Sequence, residues 1–352
     1  MSALDGADAS RRFAEHLNTL RQAISALPDK PEETTEATLR ALWHLAAAEA
    51  PAPSGELAEM GQVHRISAAA AQALHDANAP LPPLDDAACA RLSGLVARRL
   101  AGAPLAHLTE RQAFLGMEML AGPGALIPRR ETELLAQAAL VCLQEMANAA
   151  PGRPLGVIDV CTGSGNLALA MALSVPTAHV WGADLSPDAV DLARANTQHL
   201  GAPFAGVGAE LAAHSPLSAR VHWRCGDLLS PFDEGDANAA HGDAAEFLGR
   251  TDMLLCNPPY ISSGKLDAMP AEIVQHEPSL AFDGGPFGIR ILQRLMKDAP
   301  RFLRSGGWLG LEVGLGQGPA VQQWLARTGH FAAPRTVLDG HGQVRSLLVQ
   351  RI

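Results

Sequence analysis

The run VIDVCTGSGNLALA, residues 157–170, begins as a buried apolar strand ending at Asp159, breaks at a Gly-rich turn and resumes as a helix-forming stretch. Gly163 and Gly165 allow the backbone to turn sharply and a ligand to approach the main chain, while the helix start beyond them offers unpaired N–H groups. The combination points to a nucleotide-like ligand, and a plain structural turn would account for the same glycines. Strand, Gly turn and helix in that order form the first unit of an α/β sheet.

The next unit, VWGADLSPDAV at 180–190, ends its strand at Asp184, with Ser186 as helix N-cap and Pro187 in the first helical position. An acid about twenty residues after the turn is placed to accept both hydroxyls of a ribose, and this spacing suits a dinucleotide and an adenosine ligand equally. A third apolar run ends in CGDLL at 225–229. It sets Asp227 where an adenine exocyclic amine would be held and Leu228 beside the ring, although a turn would use the same aspartate.

Outward from these units the pattern repeats. Strands expected at 156–160, 178–184, 220–225, 252–256 and 308–313 alternate with helices at 167–173, 187–200 and 289–303. Near-continuous apolar strands of this kind belong to a parallel sheet covered on both faces. Two last runs, 331–338 and 346–349, flank a Gly-rich turn and add an antiparallel hairpin. Segments 203–218 and 231–249 are rich in Ala, Gly and Asp and read as surface insertions, the second as a solvated acidic loop. Upstream, Pro-rich breaks separate helices at 10–27, 34–49, 56–73 and 85–101. The spacing of Leu39, Leu42 and Trp43 marks a buried face and puts Trp43 in a core. The expected organisation is a helical domain over 1–105, a β-hairpin linker over 106–128 and an α/β domain over 129–352.

Composition narrows the function. Of 352 residues, 47% are hydrophobic and 18% charged, which suits a globular chain. The net charge of −10 removes any global basic field, so direct nucleic-acid binding is not expected. Apolar stretches such as 66–74 fall far short of the ~20 residues of a membrane helix, and the acidic opening MSALDGADAS has no apolar export core. Five cysteines with no C-x-x-C spacing indicate neither a disulfide framework nor a zinc site, so the expectation is no metal and a reducing cytoplasm.

The chemistry is carried by DMLLCNPPYISSG at 252–264, where a fourth apolar strand stops at Asn257, Pro258, Pro259 and Tyr260. Two consecutive prolines forbid continuation of strand or helix and fix a rigid turn outside the carboxyl end of the strand. The Asn257 side-chain oxygen and the Pro258 carbonyl are able to accept from one planar NH2, and the ring of Tyr260, the chain's single tyrosine, is able to pack on its face.

These residues resemble a known family. NPPY after the fourth strand, with CTGSG and the acid ending the second strand, is similar to the class I S-adenosylmethionine-dependent methyltransferases that act on planar amide or amine nitrogens. PLAHLTERQAFLGMEML at 104–120, ALIPRRETELL at 125–135, EPSLAFDGGPFGIRIL at 277–292 and GGWLGLEVGLGQ at 306–317 resemble the HemK/PrmC protein-glutamine N5-methyltransferases. The resemblance implies a Rossmann-like class I methyltransferase sheet behind a small helical substrate-recognition domain. It implies that Cys161, Thr162, Gly163, Ser164 and Gly165 hold the methionine part of S-adenosylmethionine, Asp184 the ribose, and Asp227 with Leu228 the adenine. Asn257, Pro258, Pro259 and Tyr260 would bind the glutamine amide, with Asn257, Pro258 and Tyr260 as the catalytic set. The implied partner is the Gly-Gly-Gln loop of peptide chain release factors. The chain departs from the family pattern in carrying Cys161 where Gly is frequent and Arg130 where Pro is frequent. Other readings remain open at this point: a ribosomal-protein glutamine methyltransferase, a DNA adenine-N6 or small-molecule methyltransferase, and a non-catalytic cofactor-binding interaction protein.

Overall fold

A computed structural model describes residues 6–24, 30, 33–48, 79–201, 216–233, 244–264, 271–285 and 288–352. The helix expected over 56–73 lies outside the described residues, as do most of 203–218 and the middle of 231–249. The chain divides into two compact units: Met1–Ala113 with Leu120–Gly122 and Pro270–His276, and Phe114–Met119 with Pro123–Met269 and Glu277–Ile352.

The first unit is helical. Its main helices are α1 (Gly6–Ala23), α2 (Thr35–Ala47), α3 (Asp86–Leu100) and the single turn α4 (Leu105–Thr109). Thr34 and Asp85 cap α2 and α3, their side chains accepting from Ala37 N at 3.1 Å and Ala88 N at 2.7 Å. Leu20, Leu39, Leu42, Leu92 and Val96 form the core with Trp43, which is fully buried and donates its indole N–H to Pro82 O at 2.9 Å. Beyond α4, strands β1 (Arg111–Phe114) and β2 (Met117–Leu120) form a two-stranded sheet. Leu115 and Gly116 between them both have positive φ, 48° and 77°, the backbone of a two-residue hairpin turn.

The second unit opens with α5 (Arg130–Ala149) and continues through β3 (Leu155–Val160), α6 (Asn166–Ser174), β4 (Ala178–Asp184), α7 (Pro187–Gly201), β5 (Val221–Cys225) and β6 (Thr251–Cys256). It ends with α8 (Arg290–Phe302), β7 (Leu303–Glu312), α9 (Gly318–Thr328), β8 (Arg335–Leu338) and β9 (Val344–Gln350). The seven strands form one sheet in the order β5-β4-β3-β6-β7-β9-β8. The first five are parallel and the last two antiparallel, giving the Rossmann-like sheet with its terminal hairpin.

Burial on both sides follows from the strand sequences. Val157, Val180 and Leu255 face a core with Leu135, Ala139 and Leu143 of α5. Their neighbours Ile158, Trp181 and Leu254 face the opposite core with Leu292, Leu295 and Phe302 of α8. Alternate side chains point to opposite faces, so both must be apolar when both are covered.

Three sequence expectations need correction. Helices α5 and α9 were not among the expected segments, although the 130–149 run carries helical apolar spacing and Pro319 stands in the first turn of α9. The last hairpin is shorter, because Phe331 makes only an isolated bridge to Arg351 before β8 begins at Arg335. The ends of the acidic insertion are built into the core rather than solvated. Phe232 and Phe247 are buried against each other, and Phe247 meets the Trp181 ring edge-on at 5.1 Å.

Candidate active site

Strand order reverses at β3, which has β4 on one side and β6 on the other; in open α/β sheets a crevice forms outside the carboxyl ends at such a point. A cleft of about 220 Å³ occupies that position. The segments following β3, β4, β5 and β6 line it in turn, with Cys161, Thr162, Gly163 and Ser164, then Asp184 and Ser186, then Asp227 and Leu228, then Asn257 and Pro259. Leu126, Arg129 and Thr132 complete one wall, Ile291 and Arg294 another.

The turn after β3 is shaped by left-handed residues, with φ of 57° at Cys161, 55° at Gly163 and 84° at Gly165. The two glycines have different reasons to be glycine. A Cβ on Gly163 would meet nothing within 4 Å, so this residue opens onto the cleft. A Cβ on Gly165 would lie 2.6 Å from the Trp223 ring, which is anchored by its N–H to Thr197 Oγ1 at 2.9 Å. Gly165 therefore makes room for protein rather than lining the cleft.

Asp184 fastens this turn, accepting from Gly163 N and Ser186 N at 2.9 Å each. Burial pushes its carboxyl above the ordinary carboxylate range, against the pull of these N–H groups. Ser186 caps α7, its Oγ accepting from Ala189 N at 3.3 Å. Beneath the turn Asp159 is fully buried, accepting from Thr162 Oγ1 at 2.5 Å and Ala168 N at 3.3 Å, and burial pushes it up to about 7. Sequence reasoning treated Asp159 only as a strand end. An acid closing a strand of Val and Ile is the signal that it had a structural partner.

At the third strand end, Asp227 pairs with Arg294 at 2.6 Å, about half exposed. Leu228 is buried beside it with φ of 51°.

The turn after β6 is held from behind. Asn257 Nδ2 donates to Thr132 Oγ1 at 3.0 Å, and Asn257 lines the cleft. Gln317 Nε2 donates to Tyr260 O at 3.0 Å and Gly288 O at 3.1 Å, while its Oε1 accepts from Gly314 N at 2.9 Å. Pro258 is buried, and the Tyr260 ring packs over Gly314 with its phenol on buried Glu312, so neither Pro258 nor Tyr260 lines the cleft as Asn257 and Pro259 do. Burial raises the Tyr260 phenol well above its ordinary value and pushes Glu312 up to about 7, against hydrogen bonds from Thr132 and Tyr260. Thr132, Glu312, Gln317 and the buried pair Arg129–Glu277, joined at 2.5 Å, were all missed as functional candidates. Each lies far in sequence from the turn it serves.

The cradle fits an adenosine cofactor: a glycine open to the cleft, an acid at the second strand end and an apolar Leu228 and Ile291 at the far wall. Fold and site together define a class I S-adenosylmethionine-dependent methyltransferase. A family model described as a methyltransferase domain matches residues 157–248. The chain is 34% identical over 268 residues to a release factor glutamine methyltransferase of Moorella thermoacetica, covering 76% of this chain and 82% of the relative. It is 35% identical over 263 residues to that of Geobacter sulfurreducens, with 75% and 78% covered. It is also 30% identical over 264 residues to a 4-amino-L-phenylalanine/4-methylamino-L-phenylalanine methyltransferase of Streptomyces pristinaespiralis, with 74% and 77% covered. The chain belongs to the release factor glutamine methyltransferase family.

Among the described residues no helix is long and apolar enough to cross a membrane, and no cluster of three or more His, Cys, Asp or Glu is placed to hold a metal. All five cysteines are free.

Proposed function

We propose that this protein transfers a methyl group to the side-chain amide nitrogen of a glutamine in the Gly-Gly-Gln loop of peptide chain release factors. The observation that carries the reading is Asn257. Its amide nitrogen donates to Thr132, and it lines the cleft that Gly163 and Asp184 also line, where its Oδ1 would serve as the acceptor. Bound there, S-adenosylmethionine supplies an electrophilic methyl on a sulfonium.

The residues of the chain would do the rest. Asp184 would accept from the ribose hydroxyls with lone pairs not used by Gly163 and Ser186, and Cys161, Thr162, Gly163 and Ser164 would border the methionine part. Asp227 and Leu228 would border the adenine. An amide nitrogen is a poor nucleophile because its lone pair is delocalised, so placement must supply much of the rate. Asn257 Oδ1 would accept one N–H bond, aim the nitrogen and stabilise the charge that grows on it, and the buried Pro258 would fix the turn that carries Asn257. Pro259 would form the wall at the substrate, and Tyr260, whose phenol rests on Glu312, would hold the turn from behind rather than cover the substrate. We assign the helical unit to selection of the protein substrate, and the cytoplasm, where release factors act, as its compartment.

A second reading has a specific observation behind it, the 30% identity to an enzyme named for an arylamine amino acid. Both acceptors present a planar NH2. Incubating the purified protein and labelled S-adenosylmethionine with a release factor, a ribosomal protein, 4-aminophenylalanine, free glutamine or DNA separates them. Label on the release factor alone is the expected outcome. Label on 4-aminophenylalanine with none on the release factor would replace the proposal.

A further inference from the structure

We infer that Thr132, backed by Glu312, is a positioning residue that decides which end of the Asn257 side chain faces the substrate; the inference rests on the function proposed above. A primary amide has a donor end and an acceptor end of nearly the same shape, so packing alone selects between them poorly. A hydroxyl has a single hydrogen to give and lone pairs to offer. Thr132 is 1% exposed in the first turn of α5, and its hydroxyl touches two groups: the carboxyl of Glu312 at the end of β7, and Asn257 at 3.0 Å. Above about pH 7, where the buried Glu312 carboxyl is ionised and has no hydrogen to give, the Thr132 hydrogen goes to the carboxylate. The lone pairs are left for Asn257, and only its Nδ2 end can use them. The acceptor Oδ1 is thereby turned to the cleft.

A half-turn of the amide would set Oδ1 against an oxygen with no hydrogen to share and present NH2 to a substrate NH2. Both contacts repel. The arrangement draws on three separate elements, α5, β7 and the turn after β6, and Tyr260 supports it by hydrogen bonding to the same carboxyl. Glu312 is 1% exposed and Thr132 acts through Asn257, so both belong to the orientation of the acceptor rather than to the reacting atoms.

The test compares Thr132→Val, which keeps the shape and removes the hydroxyl, with Thr132→Ser, which keeps the hydroxyl, using release factor and labelled S-adenosylmethionine. Thr132→Val is expected to lower kcat on the order of tenfold to a hundredfold with cofactor affinity unchanged within about twofold. Thr132→Ser should recover to within about threefold of the parent. In an Asn257→Ala background, where no amide is left to orient, adding Thr132→Val should cost nothing further. Parental kcat in Thr132→Val, a Ser variant as slow as the Val variant, or an undiminished effect of Val in the Asn257→Ala background would each overturn the positioning role while leaving the function in place. A parental protein that transfers no methyl to the release factor would overturn the function and the inference with it.

Discussion

Asp184 Oδ2 accepts the backbone N–H of Gly163 at 2.9 Å, so the acid that ends β4 holds the turn that follows β3. Its Oδ1 accepts from Ser186 at the same distance, tying the start of α7 into the same carboxylate. One side chain thus sets the shape of the cofactor cradle before any ligand arrives.

Asp184→Ala should therefore do two things. Loss of two charge-assisted bonds to backbone should lower stability by roughly 1 to 3 kcal/mol. Loss of the ribose acceptor should weaken S-adenosylmethionine binding by more than tenfold. Thermal melts and titration calorimetry measure the two effects, and unchanged affinity would move the ribose elsewhere.

The two glycines of the turn should separate. Gly165→Ala drives a Cβ toward the Trp223 ring at a φ of 84°, and should cost roughly 1 to 3 kcal/mol of stability. Gly163→Ala meets open space, so it should cost only about 1 kcal/mol of backbone strain while weakening cofactor binding the more of the two. Denaturant melts with calorimetry on both variants decide it. The opposite ranking would mean that Gly165, not Gly163, faces the ligand.

Stability should fall as pH rises toward neutrality. Burial pushes Asp159 and Glu312 up to about 7 in the folded protein, above the carboxylate range near 4 of an unfolded chain. The folded state then holds protons that the unfolded state has released, and stability present below about pH 4 is lost as pH climbs through about 7. The groups facing Glu312 are Thr132 and Glu131 from α5, Tyr260 from the turn after β6 and Arg345 from β9; those acting on Asp159 are Thr162, Ala168 N and Asp184. Each carboxyl contributes roughly 2 to 4 kcal/mol to the decline. Denaturation of Glu312→Gln and Asp159→Asn between pH 4.5 and 8 should show a flatter profile than the parent. A parental slope retained in both would place the titration elsewhere.

Much of this was legible in the sequence because it is local. Strand, Gly turn and capped helix follow one another along the chain, and the Asp184 run shows its strand end, its N-cap Ser186 and Pro187 within four residues. The prolines after Asn257 mark their turn for the same reason. Groups that support the site from a distance left no comparable trace. Thr132 lies 125 positions from Asn257, and Gln317 lies 57 from Tyr260, so only the folded sheet brings them together. Gly165 illustrates a different limit. The residue that demands its lack of a side chain is Trp223, two strands away in the chain, and a Gly-rich turn reads the same whether a ligand or a ring fills the space.

The most direct test of the central claim is to map the methyl group. Release factor treated with S-adenosylmethionine and the parental protein, digested and sequenced by mass spectrometry, should carry one added methyl on the side chain of the Gly-Gly-Gln glutamine. With Asn257→Ala, cofactor affinity should stay close to parental and the rate of that modification should fall on the order of a hundredfold or more, the loss typical of one preorganised hydrogen-bond group. A methyl found on another residue, or an Asn257→Ala protein that modifies the same glutamine at the parental rate, would contradict the account.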